Sequence, residues 1–282
     1  MKSCCDLHTH SCFSDGTCTP EEIIRLAVAA GLSAVALTDH NTVTGLPDFL
    51  AAAETADILA VPGVEISTGW QGKELHIVGL FLKPRDLDAV SAFLEIINIR
   101  KEENNRKLIH TLHNAGFSLD YDTIRRNHPE GSINRAVIAS ALLEKGYVSS
   151  VKEAFRTLLS EKHGYYIPPE RIDVFDAITF LRSVHAVPVL AHPFLSLSEG
   201  ELRQFLPEAK NHGLLAMETR YSTYTPEIQI LALTIAREYG LLSSGGSDFH
   251  GDNKPDIALG TGKGTLHIPA EIAETLQEAV RK

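Results

Sequence analysis

The sequence predicts an α/β fold of repeated βα units around a parallel sheet or barrel, interrupted by an inserted helical segment. Two observations carry this. Short apolar runs alternate with longer stretches of helical apolar spacing over most of the 282 residues. From about residue 86 to 167 only helical patterns follow one another, and from residue 174 the alternation resumes. The expected domains are therefore a barrel formed by 1–85 and 168–282, and an inserted helical domain, 86–167, that could cover the open barrel end and the substrate there. With 44% apolar and 22% charged residues, the chain suits a globular protein with a large core.

Seven strands are expected, at residues 3–8, 34–39, 59–66, 75–81, 187–192, 214–219 and 241–248. Each is a short apolar run, and several end abruptly in charge. Helical spacing fills residues 20–30, 46–56, 174–185, 199–212 and 226–239. The first of these opens on Thr19-Pro20-Glu21-Glu22, which supplies a capping hydroxyl, a proline in the first turn and acids facing the positive end of the dipole; Gly31 ends it. Inside the insertion, residues 97–116, 133–146 and 151–159 read as helices. Gly260-Thr-Gly-Lys-Gly264 lacks the spacing and following helix of a phosphate loop and reads as a turn.

The formal charge of −10 argues against gripping long nucleic acid by phosphate neutralisation, a mode that uses clustered Lys and Arg. No apolar run is long enough for a membrane span or a secretory leader, so a cytoplasmic location is expected. All four cysteines, Cys4, Cys5, Cys12 and Cys18, lie near the start of the chain, which fits reduced thiols better than a disulfide framework. Cys4 and Cys5 read as strand filling. Cys12 reads as a group behind the metal ligands or an inert neighbour.

Metal-ligating side chains recur at the ends of the expected strands. In Asp6-Leu7-His8-Thr9-His10 the histidines stand two apart and project to one side of an extended chain, with Asp6 on that side and able either to orient an imidazole or to cap the barrel mouth. His40 follows the small apolar run 34–39, Glu65 ends Pro62-Gly63-Val64, His76 lies in the fourth strand, His192 precedes Pro193, and Asp248 and His250 repeat the two-residue spacing. Each has an ordinary alternative as a surface acid, core histidine or turn residue. In a parallel barrel all strand C-termini meet at one rim, so residues distant in sequence would converge there. Imidazole and carboxylate in such number exceed what one structural ion needs. Asp15, in Ser14-Asp15-Gly16, also fits a plain turn, and the residues alone leave it open.

The elements DLHTHSCFSDG, ALTDHNT, VPGVEIS, ELHIVGLF, VLAHP and GGSDFHG, in this order, resemble the polymerase and histidinol phosphatase (PHP) family of metal-dependent phosphoesterases. The resemblance implies a distorted (β/α)7 TIM-like barrel and a trinuclear site of zinc, iron or manganese. Carried onto this chain, His8, His10, Glu65 and Asp248 would hold one ion, Glu65, His76 and His192 a second, and Asp15, His40 and His250 a third. Asp39 is then a structural acid or a group behind the ligands.

Within the family the chain looks most like bacterial phosphoesterases with a helical insertion that act on nucleoside 3′,5′-bisphosphates and AMP. Arginines in that insertion meet substrate phosphate in related members, and Arg100 and Arg135 are the matching positions. The family's Gly-Arg-Pro-His element reads Asn134-Arg135-Ala136-Val137 here, so its Pro and His are missing. Read from the residues alone, Arg100, Lys101, Arg106 and Lys107 equally suit a solvated helix face, whereas Arg135 opens an apolar helix. His163 could contact a base, while Tyr165 and Tyr166 fit packing.

The expected activity is hydrolysis of a phosphomonoester of a small nucleotide by attack of metal-bound hydroxide on phosphorus, without a covalent enzyme intermediate. About three divalent ions would move the total charge from −10 to about −4 and make one cleft electropositive. The alternatives are histidinol-phosphate hydrolysis, exonuclease action on short oligonucleotides, or a noncatalytic metal-binding regulatory module. The expected partner is a small phosphorylated substrate, with no long nucleic acid and no membrane.

Overall fold

The computed structural model describes residues 4–128, 133–162 and 164–281. The chain folds as two compact units, Met1–Leu94 with Arg171–Lys282, and Glu95–Glu170. The first is a mixed α/β barrel. Its wall runs β1 (Cys5–Asp6), β2 (Ala34–Leu37), β3 (Leu59–Trp70), β4 (Lys73–Leu80), β6 (Val187–Leu190), β7 (Ala216–Tyr221) and β8 (Leu242–Gly246), and β5 (Ile172–Asp173) pairs with Thr68 and Gly69 of β3. Beyond the short β1, closure is made by single hydrogen bonds, Leu7 N to Gly245 O at 3.2 Å, Asp248 N to His8 O at 2.9 Å and His10 N to Phe249 O at 2.9 Å.

The barrel is not wholly parallel. β4 runs antiparallel to both β3 and β6, which corrects the expectation of parallel neighbours throughout. The cause is a two-residue hairpin: Gln71 (φ 48°) and Gly72 (φ 77°) both adopt the left-handed conformation that such turns require. The reversal explains how His76, in the first half of its strand, reaches the same rim as the ends of the parallel strands. It stands opposite Ser67, two residues beyond Glu65.

Flanking helices are α1 (Pro20–Ala29), α2 (Leu46–Ala53), α7 (Val174–Ser183), α8 (Glu199–Asn211) and α9 (Pro226–Glu238). Thr19 and Glu22 close the capping box that the sequence suggests, and Gly31 takes φ 73° after α1. A further helix, α10 (Glu271–Arg281), lies outside the expected elements. Its Ala273 and Leu276 join Cys5, Leu7, Ala34, Ala36, Val61, Val78, Leu80, Val187, Val189 and Ala216 in one buried cluster. Burial of a leucine such as Leu276 contributes about 2 kcal/mol.

Along three strands, alternate residues lead from that cluster toward the chemistry: Val61 to Glu65 on β3, Leu80 and Val78 to His76 on β4, and Ala216 to Glu218 on β7. The barrel interior is therefore apolar in its lower layers and polar at one end.

The second unit is helical, with α4 (Tyr121–Asn127), α5 (Arg135–Glu144), α6 (Val151–Arg156) and most of α3 (Leu87–Asn114). Leu108, Leu112, Ile124, Ile138 and Leu142 form part of its own core. The short α4 was not among the expected helices. Residue 3 of the first expected strand, the Gly131-Ser132 turn and His163 lie outside the described residues. Among the described residues, no helix is long and apolar enough to cross a membrane.

Candidate metal centre at the barrel mouth

Glu65 is the hub. Its Oε2 lies 3.1 Å from His8 Nε2, 3.2 Å from His10 Nε2 and 3.1 Å from His40 Nδ1. Its Oε1 lies 2.8 Å from His76 Nδ1 and 3.1 Å from His192 Nε2. Asp248 Oδ1 approaches His10 Nε2 at 3.2 Å and His8 Nε2 at 3.7 Å. Asp15 joins from the loop after β1, with Oδ1 3.3 Å from His250 Nε2 and Oδ2 3.9 Å from His40 Nε2. All nine metal-ligand positions named from sequence thus meet in one cluster, and Glu65 bridges its two sides.

Backbone conformation contributes. His192 (φ 29°) and Asp248 (φ 58°) are left-handed, so each strand end turns sharply before its side chain enters the mouth. Such strain in non-glycine residues persists only where the surroundings hold it.

Among the described residues, three groups of donors converge closely enough for an ion: His10, Asp15, His40 and His250; His8, His10 and Glu65; and His40, Glu65 and His76. These overlap the three ligand sets carried over from the family but use His10 and His40 twice and leave out His192 and Asp248. The donor atoms also fit cations better than they fit one another. His8 Nε2, His10 Nδ1 and Nε2, His40 Nδ1, Asp15 Oδ1 and Glu65 Oε2 are buried and make no aligned hydrogen bond, a costly state unless a cation takes their lone pairs. An all-imidazole and carboxylate set suits zinc, iron or manganese.

Burial opposes charge throughout the cluster, and the ionic neighbours answer it. The carboxylates around His10, chiefly Asp248 and Glu65, overcome burial and push its pKa up to about 9; Glu65 and Glu74 push His76 up to about 10. At His40 burial wins, and its pKa falls to about 3. Glu65, Asp15 and Asp248 are held well below the usual carboxylate range by the surrounding histidines, despite burial.

Groups behind the ligands fix the ring orientations. His8 donates from Nδ1 to Glu218 Oε1 at 2.9 Å, which leaves Nε2 as the ligand atom, and the other Glu218 oxygen accepts from His192 N at 2.6 Å. His250 donates from Nδ1 to Asp248 O at 2.8 Å, freeing Nε2 to face Asp15. Asp248 Oδ2 accepts from Tyr221 OH and Lys254 Nζ, both at 2.7 Å.

Glu218, Tyr221 and Lys254 were not anticipated. Glu218 carried a usable signal, a charge inside an expected strand, of the kind that marked Glu65. Of the two roles open to Asp6, its contacts match the structural one: it accepts from the backbone of Ser247 at 2.8 Å and Gly260 at 2.7 Å. Asp39 holds the ligand loop in place, accepting from Ser11 N at 2.7 Å and from the hydroxyls of Ser11 and Ser14 at 2.6 Å each. Cys12 belongs to none of the three donor groups.

In the helical unit, Arg135 opens α5 behind its Asn134 cap; its guanidinium lies 4.1 Å from the centre of the Tyr166 ring and 3.8 Å from Glu161. Tyr166 is buried, as packing requires. Arg100 is exposed and lines a cleft of about 490 Å³ with Lys107 and Tyr165.

The PHP domain model matches residues 6–163. A 5′-3′ exoribonuclease of Haemophilus influenzae is 31% identical over 246 residues, 87% of this chain and 89% of that protein. A 3′,5′-nucleoside bisphosphate phosphatase of Chromobacterium violaceum is 31% identical over 248 residues, 87% of this chain and 86% of its own length. Among solved structures, an amidohydrolase from Chromobacterium violaceum with bound sulfate and no metal superposes with a TM-score of 0.85 at 28% identity, covering 98% of this chain and 96% of that one. The chain belongs to the PHP family and is a metal-dependent phosphoric ester hydrolase.

Proposed function

We propose that the protein hydrolyses the phosphomonoester of a small nucleotide, a nucleoside 3′,5′-bisphosphate or an AMP-like compound. The supporting observation is the convergence of five imidazoles on the two oxygens of Glu65, in a chain that resembles a nucleoside bisphosphate phosphatase along most of its length. In this reading about three divalent ions, zinc, iron or manganese, are held by His8, His10, Glu65 and Asp248, by Glu65, His76 and His192, and by Asp15, His40 and His250. When bound, such ions supply a nucleophile from water at neutral pH and neutralise charge gathering on the phosphoryl oxygens.

The chain's own contribution is placement. Glu218 keeps the His8 proton on Nδ1, so that Nε2 faces the cleft. Asp39 holds the Ser11 to Ser14 turn, and with it the approach of Asp15. Buried walls limit water to the mouth, where fixed charges act with little reorganisation. Arg100 and Arg135 are assigned to substrate phosphate from their sequence positions, and Arg135→Ala should raise KM more than it lowers kcat.

Exonuclease action on short RNA is the second reading, favoured by the exoribonuclease name of a relative that matches over most of the chain. A phosphate-release screen across nucleoside bisphosphates, nucleoside monophosphates, histidinol phosphate and short oligoribonucleotides, run with defined metals, tests both. Release of inorganic phosphate from a bisphosphate supports the first reading. Release of mononucleotides from RNA without free phosphate overturns it in favour of the second.

A further inference from the structure

We infer that Lys254 is a substrate-binding residue whose ammonium takes a phosphoryl oxygen of the phosphomonoester at the rim of the ligand cluster; this rests on the phosphomonoester reading above. Lys254 forms an ion pair with a proposed ligand carboxylate, its Nζ 2.7 Å from Asp248 Oδ2. Its side chain is 40% exposed, whereas that of its partner Asp248 is 8% exposed. The cation therefore stands between the buried cluster and the solvent from which a substrate arrives.

The bond that Lys254 makes is one it can exchange. Asp248 Oδ2 receives two donors, Lys254 Nζ and Tyr221 OH, both at 2.7 Å. If the ammonium turns to a ligand, the tyrosine still satisfies that oxygen, and Oδ1 keeps its position 3.2 Å from His10 Nε2. An ammonium carries three protons, so even without turning it has donors to spare. A phosphomonoester dianion carries more charge than one carboxylate and accepts charge-assisted hydrogen bonds well. Ion loading strengthens the case, since cations on Asp248 weaken its hold on a lysine.

The segment bearing Lys254 is anchored to the cluster. Asp252 N donates to Thr17 Oγ1 at 2.9 Å, and Asn253 Nδ2 donates to Asp15 O at 2.8 Å. Gly251, at φ 61°, lies so close to Thr17 that a Cβ there would collide with its hydroxyl. The lysine is thus hung from the two loops that carry Asp15 and Asp248, with freedom only in its side chain.

The test uses manganese-loaded full-length protein, with inorganic phosphate as the probe. Calorimetric titration of phosphate into wild type, Lys254→Met and Lys254→Arg reads binding directly, metal analysis reads occupancy, and steady-state kinetics on the best nucleotide found in the screen reads KM and kcat. Loss of one charge-assisted contact should weaken phosphate binding and raise KM on the order of 10- to 100-fold in Lys254→Met, with metal content unchanged and Lys254→Arg recovering most of the loss. Phosphate affinity within twofold of wild type in Lys254→Met overturns the assignment. So does loss of bound manganese in that variant, since Lys254 would then act through Asp248. If wild type releases no phosphate from any nucleotide monoester, the substrate reading fails while the phosphate titration still decides the role of Lys254.

Discussion

Glu218→Gln removes the negative charge behind the cluster and nothing of its volume. In the native arrangement one carboxylate accepts twice, from His8 Nδ1 at 2.9 Å and from His192 N at 2.6 Å. A glutamine has one carbonyl oxygen and an amide that only donates, so it cannot accept from both. If its oxygen keeps the His192 backbone N–H, its amide faces His8 Nδ1 and drives the imidazole proton to Nε2, the atom that points at Glu65 Oε2 from 3.1 Å. His8 then has no lone pair for an ion. If the oxygen keeps His8, a buried backbone N–H loses its partner and the left-handed turn at His192 loosens. Either outcome should weaken metal binding by roughly 10- to 100-fold, the usual effect of losing a group that orients a ligand histidine, or about 1.4 to 2.7 kcal/mol. Competition against a chromophoric chelator at pH 7.5 measures it, and circular dichroism with a urea melt checks that the fold persists. Wild-type affinity in a folded Glu218→Gln protein would refute the reasoning.

Asp39→Ala leaves two serine hydroxyls and one backbone N–H without their acceptor, and should lower stability by about 3 kcal/mol in a urea titration, with metal loss from the Asp15 side. Gly79→Ala places a methyl group against the buried Leu181 side chain behind β4 and should destabilise by about 1 to 3 kcal/mol through overpacking, read from the melting temperature. The ion-free protein should lose stability as pH rises: His10 and His76 have pKa values of about 9 and about 10 against an ordinary 6.5, so their contribution is complete below about 6.5 and lost as pH passes through those values. Chelator-treated protein should therefore melt at a lower temperature at pH 9.5 than at pH 6.5; a higher one would contradict the sign.

What was legible in the sequence was what local periodicity and strand-end chemistry record. Glu65, His192 and Asp248 stand out because a buried apolar run should not finish in charge, and the same rule applied to the strand at 214–219 points to Glu218. The reversal of β4 was less legible: Trp70-Gln71-Gly72-Lys73 carries only a glycine to mark the turn, and an antiparallel strand has the same apolar pattern as a parallel one. Helix α10 escaped although Ile272, Ala273, Leu276 and Val280 recur at helical spacing, because the βα alternation that marks the other barrel helices ends with the last ligand. Tyr221 could not be inferred from spacing, since it meets Asp248 through the pairing of β7 with β8, and Lys254 reaches Asp248 through the turn that follows it, which has no periodic pattern.

The two activities named among the relatives differ less in chemistry than in what leaves the site. Each separates a phosphate ester from the sugar it joins, and an inward cluster of five imidazoles around one glutamate serves either. A chain of formal charge −10 repels long polyanions at a distance, yet that repulsion is an average over the surface. The total is acidic partly because Asp15, Glu65 and Asp248 are held ionised inside the mouth, where divalent ions reverse their sign for anything that enters. Such a field falls away within about 8 to 10 Å in physiological salt. A ligand of one or a few nucleotides lies wholly within that range, whereas most of a long strand would lie outside it, against the acidic surface. Under both proposed readings such a charge distribution would favour short substrates, and would leave the choice between them to the groups that meet the departing alcohol.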